Sequence, residues 1–329
     1  KYKEKKEIYA LKDIIFSSEE FNDVKFDAKG IVTEIIGNPH ILMHTDRFQR
    51  KDKDGKKYIA DGQEKEEIIA ALGKMPFIAF AKADAEAAQI LEKFKKEKQA
   101  LGSEVVGMIN GATMPGGTQN RIPNTANPKG SIATRFVAET MLSEMRSLGT
   151  GNIDFTVQNS GGVRADIMPG QVTFNDAYTF LPFGNTLFML DVTGAEAKQI
   201  LEDALDFALV GGSTGAFPYG AGIRYEANQY PDKAGKRVVK VEVQNRATGE
   251  WEMIKDSATY RMGTNSYIAG GKDGYKTLGE VAKSRGGEDT YLPDAESFIK
   301  FLKAHPNFEG FADSNVVFHF DADNEVLKK

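Results

Sequence analysis

The stretch that most limits the possible folds runs from Ile153 to Asn185. Ile153, Phe155 and Val157 alternate with Asp154 and Thr156, the two-residue period of a half-buried strand. The strand stops at Gly161-Gly162, where the backbone can take angles barred to residues with a Cβ. Arg164 follows at once, so a guanidinium is carried on a tight glycine turn whose N–H groups can also face an anion. Pro182-Phe183-Gly184-Asn185 breaks the pattern again and puts an aromatic ring on a loop. Arginine, exposed ring and amide together suit a pocket for a flat anionic ligand, and a nucleotide fits that description. Taken singly, each motif reads first as a glycine turn between strands.

A chain of 329 residues can hold one large or two ordinary domains. With 41% hydrophobic and 27% charged residues it is globular rather than disordered. A net charge of −5 argues against a protein that coats nucleic acid, so no nucleic-acid partner is expected. The absence of Cys excludes disulfides, zinc-thiolate sites and a Cys nucleophile. No apolar run reaches the length of a membrane span. The charged start Lys1 to Lys6, with no apolar core behind it, does not read as a signal peptide.

Along the chain, Phe21–Phe26 and Ile31–Ile36 flank the turn Asp27–Gly30 and predict a hairpin. His40 and His44 have the i, i+4 spacing of a helical metal pair. They follow a Pro in a β-rich stretch and lack the Glu of HExxH, which argues against zinc. Arg50 to Gly62 alternates Lys and Asp densely enough to read as a solvated loop. A helix is expected from Gln63 to Leu72, ended by Gly73 and Pro76. A longer one is expected from Asp84 to Leu101, with Ala87, Ile90, Leu91 and Phe94 on one apolar face.

Val105–Ile109 reads as a short buried strand feeding a long polar loop, Asn110 to Gly130, of a length that is usually functional or disordered. Its glycines do not make a phosphate loop of the Walker type, since no Gly-Lys-Ser/Thr closes it, and this weighs against a P-loop enzyme. Arg121 is its only arginine. Ser131 caps the next helix, which Gly149 stops, and Arg135 projects from its first turns. Thr193 to Glu196 is a capping box. Val210 to Tyr219 reads as a flexible glycine-rich turn. Trp251 is expected at a sheet edge, and His305 and His319 are expected to be structural.

Asn159-Ser-Gly-Gly-Val-Arg164, Pro182–Asn185 and Asn265-Ser-Tyr-Ile-Ala-Gly-Gly-Lys-Asp-Gly-Tyr275 together resemble the three signatures of the 5′-nucleotidase C-terminal domain, in order, over Gly102 to Phe320. The family includes UDP-sugar hydrolases, NAD nucleotidases and ecto-5′-nucleotidases. The resemblance implies an α+β fold, a mixed β-sheet with packed helices. Residues 1–45 then look like the tail of a metallophosphatase domain, 46–101 like a linker loop and interdomain helix, and 102–329 like the substrate-binding domain. It implies that the chain is a piece of a longer secreted precursor, periplasmic or at the cell surface. Two divalent metal ions, such as Zn or Mn, would sit in the N-terminal metallophosphatase domain, the chain's own partner, and none in this chain.

The ligand implied is a nucleoside or nucleotide: AMP and related 5′-nucleotides, with NAD or UDP-sugars also in range. Phe183 and Tyr267 would sandwich the base, and Asp273 would accept from the ribose hydroxyls. Asn159, Arg164 and Asn185 would orient the phosphate side and the base. A phosphate-binding arginine is expected near Arg121, with Arg135 as the other candidate. Gly270, Gly271 and Gly274 would let the backbone approach the ligand. The alternative is a non-enzymatic nucleotide-binding or adhesin module on the same fold, which an upstream sequence without metal ligands would favour.

Overall fold

A computed structural model describes residues 20–26, 32–39, 41–43, 45, 48–53, 55–80, 85–149 and 152–320 of the chain. His40 and His44 lie outside these residues. The chain divides into two compact units, one up to residue 95 and one from residue 96.

In the first unit, β1 (Glu20–Phe26) and β2 (Val32–Pro39) pair antiparallel as the expected hairpin. Next come β3 (Ile41–Met43), β4 (Gln49–Lys51), β5 (Lys57–Ile59), α1 (Gly62–Leu72) and β6 (Ile78–Phe80). The stretch expected to be a loop is instead a hairpin, with Arg50 opposite Tyr58. Asp52 carries its turn, since its Oδ1 accepts from the Lys56 N–H and Gly55 takes a φ of +81°. Asp and Gly are turn residues, and the density of charge hid them. Asp61 caps α1 through its carboxylate, and Phe48, Ala60, Ile68 and Leu72 form a small core.

Helix α2 (Ala85–Gly102) forms as expected. Its apolar side chains Ile90, Leu91 and Phe94 are exposed rather than packed. The second unit continues with β7 (Val105–Ile109), α3 (Ile132–Ser147), β8 (Phe155–Asn159), β9 (Gly170–Thr173), α4 (Phe174–Phe180), β10 (Thr186–Thr193) and α5 (Gly194–Leu209). Then come β11 (Pro218–Ala221), β12 (Ile223–Asn228), β13 (Val238–Gln244), β14 (Trp251–Met253), β15 (Thr259–Asn265), α6 (Ser266–Ala269) and α7 (Lys276–Arg285). The last elements are β16 (Glu288–Pro293), α8 (Asp294–Ala304), β17 (Asn307–Phe308) and β18 (Val316–His319).

A five-stranded mixed sheet in the order β11-β8-β15-β10-β16 runs through this unit. Strand β8 pairs parallel with β15 and antiparallel with β11. Because side chains alternate across a strand, β10 feeds both faces. Leu187 and Met189 join a core with α3 and α8, while Leu190 and Val192 join one with α5, α7 and the sheet β14-β13-β12-β18. The fold is thus α+β, and β8 is buried from end to end. Strand β7, read as buried, is only partly so, with Val106 and Ile109 buried and Val105 and Met108 exposed. It lies in a separate sheet, β17-β7-β9. Trp251 lies on the edge strand β14 with the Arg224 guanidinium 4.5 Å above its ring.

Candidate functional site

The buried strand β8 delivers Asn159 at its carboxyl end, and the chain then turns through Ser160–Gly162. A second turn, Thr214–Ala216, lies against the first. Gly161 and Gly215 meet back to back, and a Cβ on either would stand 3.0 Å from the other's Cα. Two backbones pressed this closely are why glycine is needed at both positions. The segment Val210 to Tyr219, read as a flexible turn, is held from beneath. The buried hydroxyls of Tyr275 and Tyr225 donate to the carbonyls of Ala216 and Pro218, each at 2.8 Å.

The long loop Asn110 to Gly130 is ordered by its asparagines. Asn120 Nδ2 donates to Gly116 O and to Asp166 Oδ1, and Asn127 Nδ2 donates to Asn120 Oδ1 and Gly130 O. Asp166 Oδ1 also accepts from the Gly116 N–H at 2.7 Å. The loop is therefore pinned two residues beyond Arg164, whose own N–H donates to Phe180 O at 3.0 Å.

These segments enclose a cavity of about 600 Å³, within the range that holds a small organic ligand. All seven residues singled out from the sequence line it: Arg121, Asn159, Arg164, Phe183, Asn185, Tyr267 and Asp273. Phe183 is 58% exposed and Tyr267 43%, so neither ring belongs to the core. Arg135 is not among the lining residues. Its guanidinium sits 3.3 Å from the Phe311 ring centroid, with Glu139 at 3.7 Å. Thr118, Ser213 and Gly215 also line the cavity. Sequence reading passed over them because they come from stretches whose turns are set by distant hydroxyls and amides.

One polar chain organises the wall. Asn265, N-cap of the short helix α6, accepts from the Ile268 N–H at 3.1 Å through its Oδ1. Its Nδ2 donates to Gln158 Oε1 at 2.8 Å and to Asn159 Oδ1 at 3.0 Å. Asn159 Nδ2 donates to Asp273 Oδ2, and the Tyr267 hydroxyl donates to Asp273 Oδ1, both at 3.1 Å. Each Asp273 oxygen keeps acceptor capacity for a further hydroxyl. Asp273 takes a φ of +52°, a region non-glycine residues seldom occupy, and the two hydrogen bonds hold it there. Burial first, and then the Asp273 charge, raise the Tyr267 pKa above its ordinary value, so the phenol stays a donor.

The glycines of this loop serve a different purpose from the one expected. Gly271 packs on Gly279, where a Cβ on Gly279 would lie 2.7 Å from the Gly271 Cα, and a Cβ on Gly274 would lie 2.4 Å from Phe207. They allow close packing within the protein, and none of Gly270, Gly271 and Gly274 lines the cavity.

The cavity holds two guanidiniums. Arg164 Nη1 donates to Gly161 O at 3.2 Å, and its Cζ lies 5.5 Å from the Phe183 ring centroid. Arg121 Nη1 makes one long contact, 3.4 Å, to Thr214 Oγ1, and its Nε is buried without a partner. Neither forms an ion pair among the described residues. Burial, and after it the Arg164 charge, lower the Arg121 pKa from its ordinary value. Two like charges facing one cavity give it a positive field that favours an anion. Behind Asn185 lies Asp294, 1% exposed, whose N–H donates to Asn185 O at 2.8 Å. Burial pushes its carboxyl up to about 7.

Among the described residues no group of three or more His, Asp or Glu side chains is placed to hold a metal ion, so these residues do not fit a two-metal site. No described helix is long and apolar enough to cross a membrane.

The model of the "5′-nucleotidase, C-terminal domain" family matches residues 105–280. A probable 5′-nucleotidase of Treponema pallidum is 56% identical over 296 residues, which are 90% of this chain and 50% of that protein. The NAD 5′-nucleotidase of Haemophilus influenzae is 54% identical over 310 residues, 93% of this chain and 50% of that one. The solved structure of Haemophilus influenzae NAD nucleotidase superposes with a TM-score of 0.65, covering 91% of this chain and 53% of that one. The 5′-nucleotidase precursor of Thermus thermophilus, 26% identical, gives 0.58 over 90% of this chain and 48% of its own. The chain thus spans about half the length of the curated relatives it matches.

Proposed function

Because the chain belongs to the 5′-nucleotidase C-terminal domain family, we propose that it is the nucleoside- and nucleotide-recognition part of a phosphohydrolase acting on 5′-nucleotides. One observation carries this reading: seven residues scattered over Arg121 to Asp273 meet in a single cavity with aromatic, carboxylate and guanidinium groups. Phe183 and Tyr267 stack on the base, an interaction that tolerates different bases. Asp273, oriented by Asn159 and Tyr267, accepts from the ribose hydroxyls. Arg164 and Arg121 take the phosphate, whose negative charge relieves their mutual repulsion. Asn185 and Asn159 supply amides for the remaining polar edges.

The hydrolytic step belongs to a metal-binding part that the described residues do not provide. AMP is the simplest ligand for the site. The names of the Haemophilus influenzae relatives support NAD as a second one, with UDP-sugars as a third possibility for the cavity. The same reading puts the working protein in the periplasm or at the cell surface, and the word precursor in the name of the Thermus thermophilus relative agrees with it.

Isothermal titration of the chain with AMP, adenosine and NAD tests the proposal. AMP is expected to bind more tightly than adenosine. Arg164→Ala is expected to weaken AMP by about tenfold or more, the scale of one hydrogen bond to a charged group, with adenosine little changed. A chain that binds neither AMP nor adenosine would sink the reading. In a separate assay with added zinc or manganese, the chain is expected to release no phosphate from AMP. Robust metal-dependent release would place catalysis within these 329 residues.

A further inference from the structure

We infer that the buried Tyr219 hydroxyl is the positioning group that holds Arg121 in the cavity, and so sets how strongly the site prefers a phosphorylated ligand to its unphosphorylated counterpart. The inference rests on the nucleotide reading of the cavity. Tyr219 lies on strand β11 and is fully buried. Its hydroxyl donates to the Arg121 carbonyl at 3.0 Å and accepts from the Ser131 N–H at 2.8 Å. One phenol oxygen thus ties the two ends of the segment from Arg121 to Ser131. Ser131 is in turn the N-cap of α3, its Oγ accepting from the Thr134 N–H at 3.1 Å. The loop is therefore moored to both the sheet and a helix.

The loop closes tightly over that oxygen. Gly130 has a φ of +63°, and a Cβ there would stand 2.0 Å from the Tyr219 hydroxyl and 3.0 Å from Pro123 Cγ. The Arg121 side chain has little of its own to fix it, only the long Thr214 contact and a partnerless Nε. Its place in the cavity is consequently inherited from its main chain, and its main chain is held by Tyr219. Removing the hydroxyl leaves a part-buried carbonyl and a buried N–H without this partner, which the loop can relieve by shifting. Arg121 would shift with it. Tyr260 offers a contrast, because its hydroxyl accepts from the Lys255 N–H at 3.0 Å and the residue does not line the cavity.

The test is titration of the chain with AMP and with adenosine. Tyr219→Phe is expected to lower AMP affinity about tenfold, of the order of one charge-assisted contact, while adenosine changes less than twofold. Tyr260→Phe is expected to leave the AMP-to-adenosine ratio unchanged. In an Arg121→Ala background, Tyr219→Phe is expected to change the ratio no further, since coupled residues are not additive. Equal loss of both ligands in Tyr219→Phe, or additive effects in the double variant, overturns the inference. A parent chain that binds neither ligand overturns the nucleotide reading and this inference with it. If Tyr219→Phe does not fold, amide exchange in the parent chain decides. A Ser131 amide exchanging as slowly as those inside α3 supports the mooring, and fast exchange refutes it.

Discussion

Replacing Phe183 and Tyr267 together by alanine is expected to remove measurable adenosine binding while leaving the fold intact. Both rings line the cavity and stand 58% and 43% exposed. Truncating them opens no hole in the core, so the usual cost of a large-to-small change inside a protein does not apply. What is lost is stacking, roughly 1–3 kcal/mol per base for each ring, or about fivefold to about 150-fold in affinity for either single variant. Tyr267→Ala also takes a donor from Asp273 Oδ1, so the ribose contact suffers along with the base. Tyr267→Phe separates the two effects, since it keeps the ring and deletes only the hydroxyl. Titration calorimetry gives the affinities, and thermal melting checks the fold. Parent-like adenosine binding by the double variant would sink the stacking role. A large drop in melting temperature for either single variant would show that its ring serves packing instead.

Asp294 is expected to make the protein less stable as pH rises from about 4 to about 7. Its carboxyl is 1% exposed, Ala295 N–H donates to its Oδ1, and its Oδ2 has no partner. Tyr178 on α4 senses its charge, and a hydrogen bond from the Asn185 side chain favours the ionised form less than burial opposes it. Desolvation, the largest cause, raises its pKa from 3.8 to about 7. In that window the folded state keeps a proton that the unfolded state has released. Stability contributed by the neutral acid is therefore fully present below the unfolded value. It declines with rising pH and is gone above the folded value. At about 1.4 kcal/mol per tenfold, the displacement corresponds to a few kcal/mol, about 4 at the most.

Asp294→Asn, which cannot ionise, is expected to flatten this slope. Its stability relative to the parent should rise from about pH 4 to about pH 7 and level off above that. Urea unfolding at a series of pH values measures it, and parallel curves for the two proteins would sink the assignment.

How much was legible beforehand differs from residue to residue. Strand β8 and its glycine turn follow from alternation and backbone freedom, both local properties. So do the Ser131 cap and the Thr193 capping box, which form as read, with Thr193 Oγ1 accepting from Glu196 N–H and the Glu196 carboxylate accepting from Thr193 N–H. Six of the seven cavity residues were reached through three ordered motifs and Arg121 through its loop, and the fold brings them to one place. Arg121 against Arg135 was undecided in sequence, because both are arginines near one loop. An aromatic neighbour distant in the chain, Phe311, occupies Arg135 and leaves Arg121 to the cavity.

The misreadings share a cause. Gly271 and Gly274 were assigned to a ligand, but their close neighbours are Gly279 and Phe207. The segment Val210 to Tyr219 looked flexible, yet buried tyrosine hydroxyls hold its backbone carbonyls. The loop Asn110 to Gly130 read as functional or disordered, and of the two disorder is the one overturned, since Asp166 and Tyr219 tie it down. The order of residues alone determined where strands, caps and turns begin, since those depend on neighbours within a few positions. It also determined which aromatic, carboxylate and guanidinium side chains were available to line a cavity. Only the tertiary structure decided which arginine faces the cavity, which glycines serve packing and which hydroxyl moors the loop. Each of those choices depends on a partner tens of residues away, whose position is set by burial of the sheet and not by any local pattern.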